Sequence, residues 1–223
     1  MTMFEYELDE HVVIVTMNSD ENRFNFPFIE GFQNILDEIE NKTHATCLVV
    51  KSSHEKIWSN GIDLDWLVPA VEKEGTELHE QFQKKLFDLF SRILTYPMIT
   101  TAAITGHAFA GGGIMACAFD FRFMRSDRGW LCFPEVDINI PFEPFLNEVV
   151  KKAIPMYKFI EMQLTGKRLT AQECEKHHIV EKACHIDTLM DEVLAFAKTH
   201  NKGREILKTL KTRLFKNILK EIE

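Results

Sequence analysis

The sequence predicts an α/β fold built on a largely parallel sheet, followed by a helical C-terminal stretch. Three observations carry that reading. A β-branched run, Val12 to Met17, precedes helically spaced apolar residues and then a short apolar run, Thr46 to Val50. Strand–helix–strand order of this kind calls for a right-handed crossover between parallel strands. Apolar runs and helical patterns keep alternating as far as Phe133, and from Glu143 the pattern is helical to the end.

Taken in order, Phe4 to Leu8 alternates and reads with Val12 to Met17 as a hairpin. Pro27 suits the first turn of a helix whose buried face is Phe28, Ile29, Phe32, Ile35, Leu36 and Ile39. Thr46 to Val50 is a buried strand, and a short helix is expected from near Asp63. The polar stretch Glu72 to Thr76, with Gly75 inside it, reads as an exposed loop. Leu78, Phe82, Leu86, Leu89, Phe90 and Ile93 mark an amphipathic helix that stops before Pro97. Ile99 to Ile104 is the next strand, Ile114 to Ala118 opens a buried helix, and Phe119 to Met124 and Trp130 to Phe133 are further strands. Nearer the C-terminus, Leu189, Val193, Leu194 and Ala197 form one helical stripe. Ile206, Leu210, Leu214 and Ile218 form another, laced with lysine and arginine. Met98 to Ala118 holds no Asp, Glu, Lys or Arg and is long enough to span a bilayer. Its three threonines, His107 and the run Gly111-Gly112-Gly113 divide it, so it reads as strand, turn and helix rather than a membrane span.

Composition excludes several function classes. At 223 residues and 45% hydrophobic the chain can bury one sizeable core, and 27% charged residues rule against disorder. A net charge of −8 argues against a nucleic-acid surface. The five cysteines show no CxxC or metal-like spacing and read as reduced thiols. The acidic start lacks the features of a signal peptide and the end is not Ser-Lys-Leu, so a cytoplasmic or other intracellular protein is expected.

The chemistry concentrates in two turns and one carboxylate. Trp58-Ser59-Asn60-Gly61-Ile62-Asp63 places a flexible Asn-Gly turn just before a helix, where main-chain N–H groups point outward. Gly106-His107-Ala108-Phe109-Ala110-Gly111-Gly112-Gly113 sets glycines between an apolar strand and an apolar helix, so a ligand can approach the backbone closely. Neither a P-loop nor GxGxxG is present: Ile114-Met115 stands where the P-loop lysine would be. Glu135, in Phe133-Pro134-Glu135-Val136, has apolar company that would raise its pKa toward that of a useful base. No metal-ligand spacing and no Gly-x-Ser-x-Gly elbow occur.

Taken together, these segments resemble the crotonase (enoyl-CoA hydratase/isomerase) superfamily. The first turn is similar to its first oxyanion segment, and Ile104 to Gly113 to its second. Asp120 matches the aspartate after the buried helix, and Leu164-Thr165-Gly166 a segment before the terminal helices. The resemblance implies the ClpP/crotonase spiral of ββα units over residues 1–168, a C-terminal helical region over 169–223, and assembly as homotrimers. It implies an acyl-CoA thioester as substrate, with coenzyme A present only as part of it, no separate cofactor and no metal. Asn60 and Gly111 would donate the two N–H groups and Glu135 would move the proton. Ser59, Gly61, Ile62, Asp63 and Leu64 on one turn, with Ala110, Gly112 and Ile114 on the other, would bind the substrate.

Hydratases of the family carry a second glutamate at the position of Ile114, and the stretch Arg125 to Ile138 looks like that of the monofunctional 3,2-enoyl-CoA isomerases. A single acid/base, shifting the double bond of 3-enoyl-CoA to 2-enoyl-CoA in fatty-acid β-oxidation, is therefore the expectation. A hydratase, an acyl-CoA hydrolase or decarboxylase using Asp137 or Glu143, and a non-catalytic acyl-CoA-binding homologue stand as alternatives. His178 occupies a helix end where the family usually has glycine. Lys51, Lys56, Lys208, Lys211 and Arg213 are candidates for holding phosphate.

Overall fold

The structure, a computed structural model, describes residues 2–222. β1 (Phe4–Asp9) and β2 (Val12–Met17) form the expected hairpin, in register from Phe4 opposite Met17 to Asp9 opposite Val12. After β3 (Arg23–Phe24), Asn25 caps α1 (Phe26–Lys42), its side-chain oxygen accepting the Phe28 N–H at 3.0 Å. Then come β4 (Cys47–Ser52), β5 (Ile57–Ser59), β6 (Gly61–Ile62), α2 (Leu64–Glu74), α3 (Thr76–Thr95), β7 (Ile99–Ile104) and β8 (His107–Phe109). The core closes with α4 (Gly111–Ala118), β9 (Phe121–Arg125) and β10 (Leu131–Cys132). Beyond a single 3₁₀ turn, Pro134–Val136, lie α5 (Pro144–Ala153), α6 (Met156–Thr165), α7 (Ala171–Lys176), β11 (Lys182–Cys184), α8 (Ile186–Lys198), α9 (Arg204–Leu214) and α10 (Lys216–Leu219).

The large sheet runs β1-β2-β4-β7-β9-β11 and is parallel except for the β1–β2 hairpin. Its inner strands β2, β4 and β7 are buried almost throughout because both faces are covered. Val13, Val15, Leu48 and Val50 face the main core with Phe28, Phe32, Leu36 and Phe90. Val12, Ile14, Cys47 and Val49 face Leu189, Val193 and Ala197 of α8. Three times a long strand is followed by a short one: β4 by β5, β7 by β8, β9 by β10. The short strands make a second, parallel sheet in the order β10-β8-β5. This is the spiral of ββα units, and it stacks successive short-strand ends beside one another. Met98 to Ala118 becomes β7, β8 and α4, and no helix among the described residues is long and apolar enough to cross a membrane.

Three expectations change. The loop over Glu72 to Thr76 shrinks to Gly75, whose φ of 91° breaks the chain between α2 and α3; Glu72, Lys73 and Glu74 are the exposed end of α2, and Thr76 opens α3. The C-terminal stretch is not wholly helical, since β11 adds a sixth strand beside β9. On α9 the stripe Ile206, Leu210 and Leu214 faces solvent, while Lys211 is buried, donating to the Met98 carbonyl and pairing with Asp120. Spacing identified a helical face but not which face the tertiary contacts would cover. Lys211 is thereby removed from the phosphate candidates.

His178 does stand in the left-handed region, at φ 56°. It ends α7 in a Schellman arrangement: the Ile179 N–H donates to the Cys174 carbonyl and the His178 N–H to that of Glu175. A residue with a Cβ in this position carries a conformational cost that glycine would not.

Candidate active site

The first turn is fixed by a buried polar network. Ser59 Oγ donates to the Asn22 carbonyl at 2.8 Å and accepts the Gly61 N–H at 3.2 Å. Asn22, fully buried, donates through Nδ2 to Ser52 Oγ and to the Trp58 carbonyl. Asp63 caps α2 by accepting the Trp66 N–H and also accepts from Asn25 Nδ2. These bonds set the path of the backbone before any ligand arrives.

They also decide which amide is free. The Asn60 N–H donates to the Glu21 carbonyl at 3.1 Å, so it is not the open donor that the sequence suggested. The Asp63 N–H donates to the Phe24 carbonyl, across the parallel β3–β6 pair. Successive N–H groups of an extended strand point to opposite sides. The Ile62 N–H therefore faces away from β3, and Ile62 lines the cavity described below. Two residues of offset separate the expectation from the structure, because the turn's backbone acceptors, Glu21 and Phe24, lie in and just before β3, far away in sequence.

In the second turn, the Ala110 N–H donates to the Cys132 carbonyl at 3.0 Å, and Gly111 opens α4, where an N–H has no intrahelical acceptor. The two turns touch directly. A Cβ added to Gly61, whose φ is 73°, would lie 2.5 Å from the Gly111 nitrogen, and one added to Gly112 would collide with the Ser59 carbonyl. Glycine is thus required at both positions for the two turns to lie against one another. Ala110 itself is held at φ 49°, a conformation that glycine adopts more easily.

Glu135 comes from the other side. β10 pairs with β8, Phe133 is buried, and Pro134 starts the 3₁₀ turn that carries the carboxyl inward. One carboxyl oxygen, Oε2, is buried without a hydrogen-bond partner. Burial pushes the pKa of Glu135 up to about 7 from an ordinary 4.5, partly offset by its own backbone N–H.

A cavity of about 420 Å³ brings these groups together. Asn60, Ile62, Leu64, Ala110, Gly111, Ile114 and Glu135 all line it. Ser59, Gly61, Asp63 and Gly112 do not; they stand behind the wall and shape it. Among the described lining residues the only other carboxylate is Asp65, which pairs with Arg23 at 2.9 Å and is largely exposed. Asn60 Oδ1 is buried without a partner, while its Nδ2 donates to Glu21. Arg23, Leu86, Phe90, Phe109 and Phe142 complete much of the lining and were not singled out from sequence. Leu86 and Phe90 lie on the stripe of α3 that reads as core, and nothing in periodicity separates a core face from a cavity face. Neither Asp137 nor Glu143 lines the cavity. Among the described residues no His, Cys, Asp or Glu cluster is spaced to hold a metal, and the five cysteines are buried free thiols.

A family model described as enoyl-CoA hydratase/isomerase matches residues 7–221. The chain is 32% identical over 174 residues to Enoyl-CoA delta isomerase 3 of Arabidopsis thaliana, covering 78% of this chain and 73% of that protein. It is 28% identical over 190 residues to a putative enoyl-CoA hydratase of Thermus thermophilus, covering 84% and 74%. The apo enoyl-CoA isomerase of Mycobacterium tuberculosis superposes with a TM-score of 0.88 over 99% of this chain and 94% of that one, at 16% identity. At that identity the superposition speaks for the fold.

Proposed function

The chain belongs to the enoyl-CoA hydratase/isomerase family, and on that premise we propose that it is an enoyl-CoA delta isomerase of fatty-acid β-oxidation. The observation that carries the reading is a single unpaired carboxyl in a mostly apolar cavity: Glu135 and Ile114 line it together, and Asp65 is tied to Arg23. Hydration asks for one group to activate water and another to deliver a proton, whereas a double-bond shift asks for one base that removes a proton and returns it nearby.

In this reading the thioester oxygen of a 3-enoyl-CoA accepts from the N–H groups of Ile62 and Gly111. Glu135 takes the C2 proton, and negative charge develops on that oxygen. The same carboxyl then protonates C4, leaving the conjugated 2-enoyl-CoA. Each preorganised donor of this kind is worth about 2.7–4 kcal/mol of barrier, and a positioned base about 10²–10⁴-fold. A pKa near 7 suits a group that must both accept and return the proton. The chemistry needs no group beyond the coenzyme A of the substrate, and assembly as a homotrimer inside the cell is part of the same proposal.

Conversion of 3-hexenoyl-CoA, followed by absorbance of the conjugated product, tests it. Hydration of a 2-enoyl-CoA at a comparable rate would replace the isomerase reading with the hydratase one. The hydrolase or decarboxylase reading has less support, because Asp137 and Glu143 lie outside the cavity lining.

A further inference from the structure

A second groove lies against the first cavity and shares part of its wall. Glu135, Ile140, Pro141 and Phe142 line both; Val136, Asn139, Gln163 and Leu164 line only the outer one. The outer groove has a volume of about 540 Å³ and runs between the segment after Glu135 and the C-terminal turn of α6. Its rim holds apolar side chains out in water: Val136 is 44% exposed, Ile140 42% and Leu164 67%. Toward the start of α6 the apolar lane continues through Ile160, Tyr157 and Met156, all exposed.

Direction decides what this groove faces. With the thioester oxygen on the Ile62 and Gly111 amides and C2 and C4 both beside Glu135, every later carbon of the acyl chain lies beyond Glu135. The outer groove begins at Glu135 and leads away from the amides. We infer that it receives the distal carbons of a long acyl chain, threaded past Glu135 and over the Ile140–Phe142 wall, which makes long-chain 3-enoyl-CoA thioesters substrates. This rests on the isomerase reading for the position of C2 and C4. A lane that starts at the acid itself favours the substrate's own tail over a second protein as occupant. Each methylene moved from water into such a lane is worth about fourfold in affinity.

The test compares 3-hexenoyl-CoA with 3-tetradecenoyl-CoA on the wild type and on Leu164→Asp, a substitution at an exposed helix position that sets a charge in the groove. The wild type is expected to favour the longer substrate in kcat/KM, and the ratio of long to short is expected to fall at least tenfold in the variant, chiefly through KM. Hexanoyl- and tetradecanoyl-CoA binding, which needs no turnover, is read in parallel and should show the same loss. If no 3-enoyl-CoA is turned over but the binding preference and its loss in the variant persist, the isomerase reading fails and the groove stands. An unmoved ratio in both measurements overturns the groove. So does an unmoved ratio with loss of self-association in sedimentation, which would give the lane to a second copy.

Discussion

The two walls of the cavity are built on opposite principles. On the amide wall the backbone is the functional group. Ser59, Asn22 and Asp63 fix the first turn by hydrogen bonds, α4 is buried along its whole length, and Gly61 and Gly112 leave no room for a side chain between the turns. On the acid wall a side chain is the functional group, carried on one 3₁₀ turn, and the residues after it are exposed. What marks it out is burial and the lack of a hydrogen-bond partner for one carboxyl oxygen, which together raise its pKa. In the proposed mechanism, backbone amides fixed in place hold the developing charge, and an unpaired side chain moves the proton. Damage to one wall should therefore look different from damage to the other.

The largest effect is expected from Glu135→Gln, which leaves the cavity shape intact. It should lower kcat for double-bond migration by about 10²–10⁴-fold while acyl-CoA binding, measured by calorimetry, is retained. Gly61→Ala attacks the other wall, forcing the Ile62 and Gly111 amides apart. Loss of about 10²–10³-fold in kcat is expected, with the pH profile unchanged because Glu135 keeps its surroundings.

The pH dependence sharpens the contrast. Glu135 must be ionised to take a proton, so kcat/KM should rise with pH through about 7. Stability should move the other way. The folded-state pKa lies above the ordinary 4.5, so the folded protein holds this proton more tightly than the unfolded chain does. That advantage is complete below 4.5 and is lost as pH rises through 7. Glu135→Gln should then be more stable than wild type by up to about 3 kcal/mol above pH 7, the difference vanishing near pH 4 in urea titrations. A difference that did not depend on pH would mean that burial of the acid is not what sets its pKa.

The smallest effect concerns a part of the chain remote from both walls. His178→Gly should raise stability by about 0.5–1 kcal/mol, read as a shift in the urea midpoint, with kcat unchanged.

Much of this was legible in the residues. The parallel sheet followed from apolar runs alternating with helical stripes, because strands covered on both faces have no polar side to show. Glu135 stood out because its neighbours are apolar, and the glycine run because no other residue permits such close backbone packing. What the sequence could not assign was the free amide of the first turn. Asn60 and Ile62 are two residues apart, and only the pairing of β3 with β6, with the Glu21 and Phe24 carbonyls as acceptors, takes up one N–H and leaves the other facing the cavity.

The residues by themselves determined the α/β class and the alternation of strands and helices as far as Phe133, since local spacing suffices for these. Tertiary structure alone decided that Lys211 turns inward to Asp120 while Leu210 and Leu214 face water. It also made Leu86 and Phe90, buried in the core, line a cavity on one side. The physical reason is common to both cases. A helix pattern states which residues share a face, but what that face meets depends on segments distant in sequence, and on whether their side chains fill the space or leave it open.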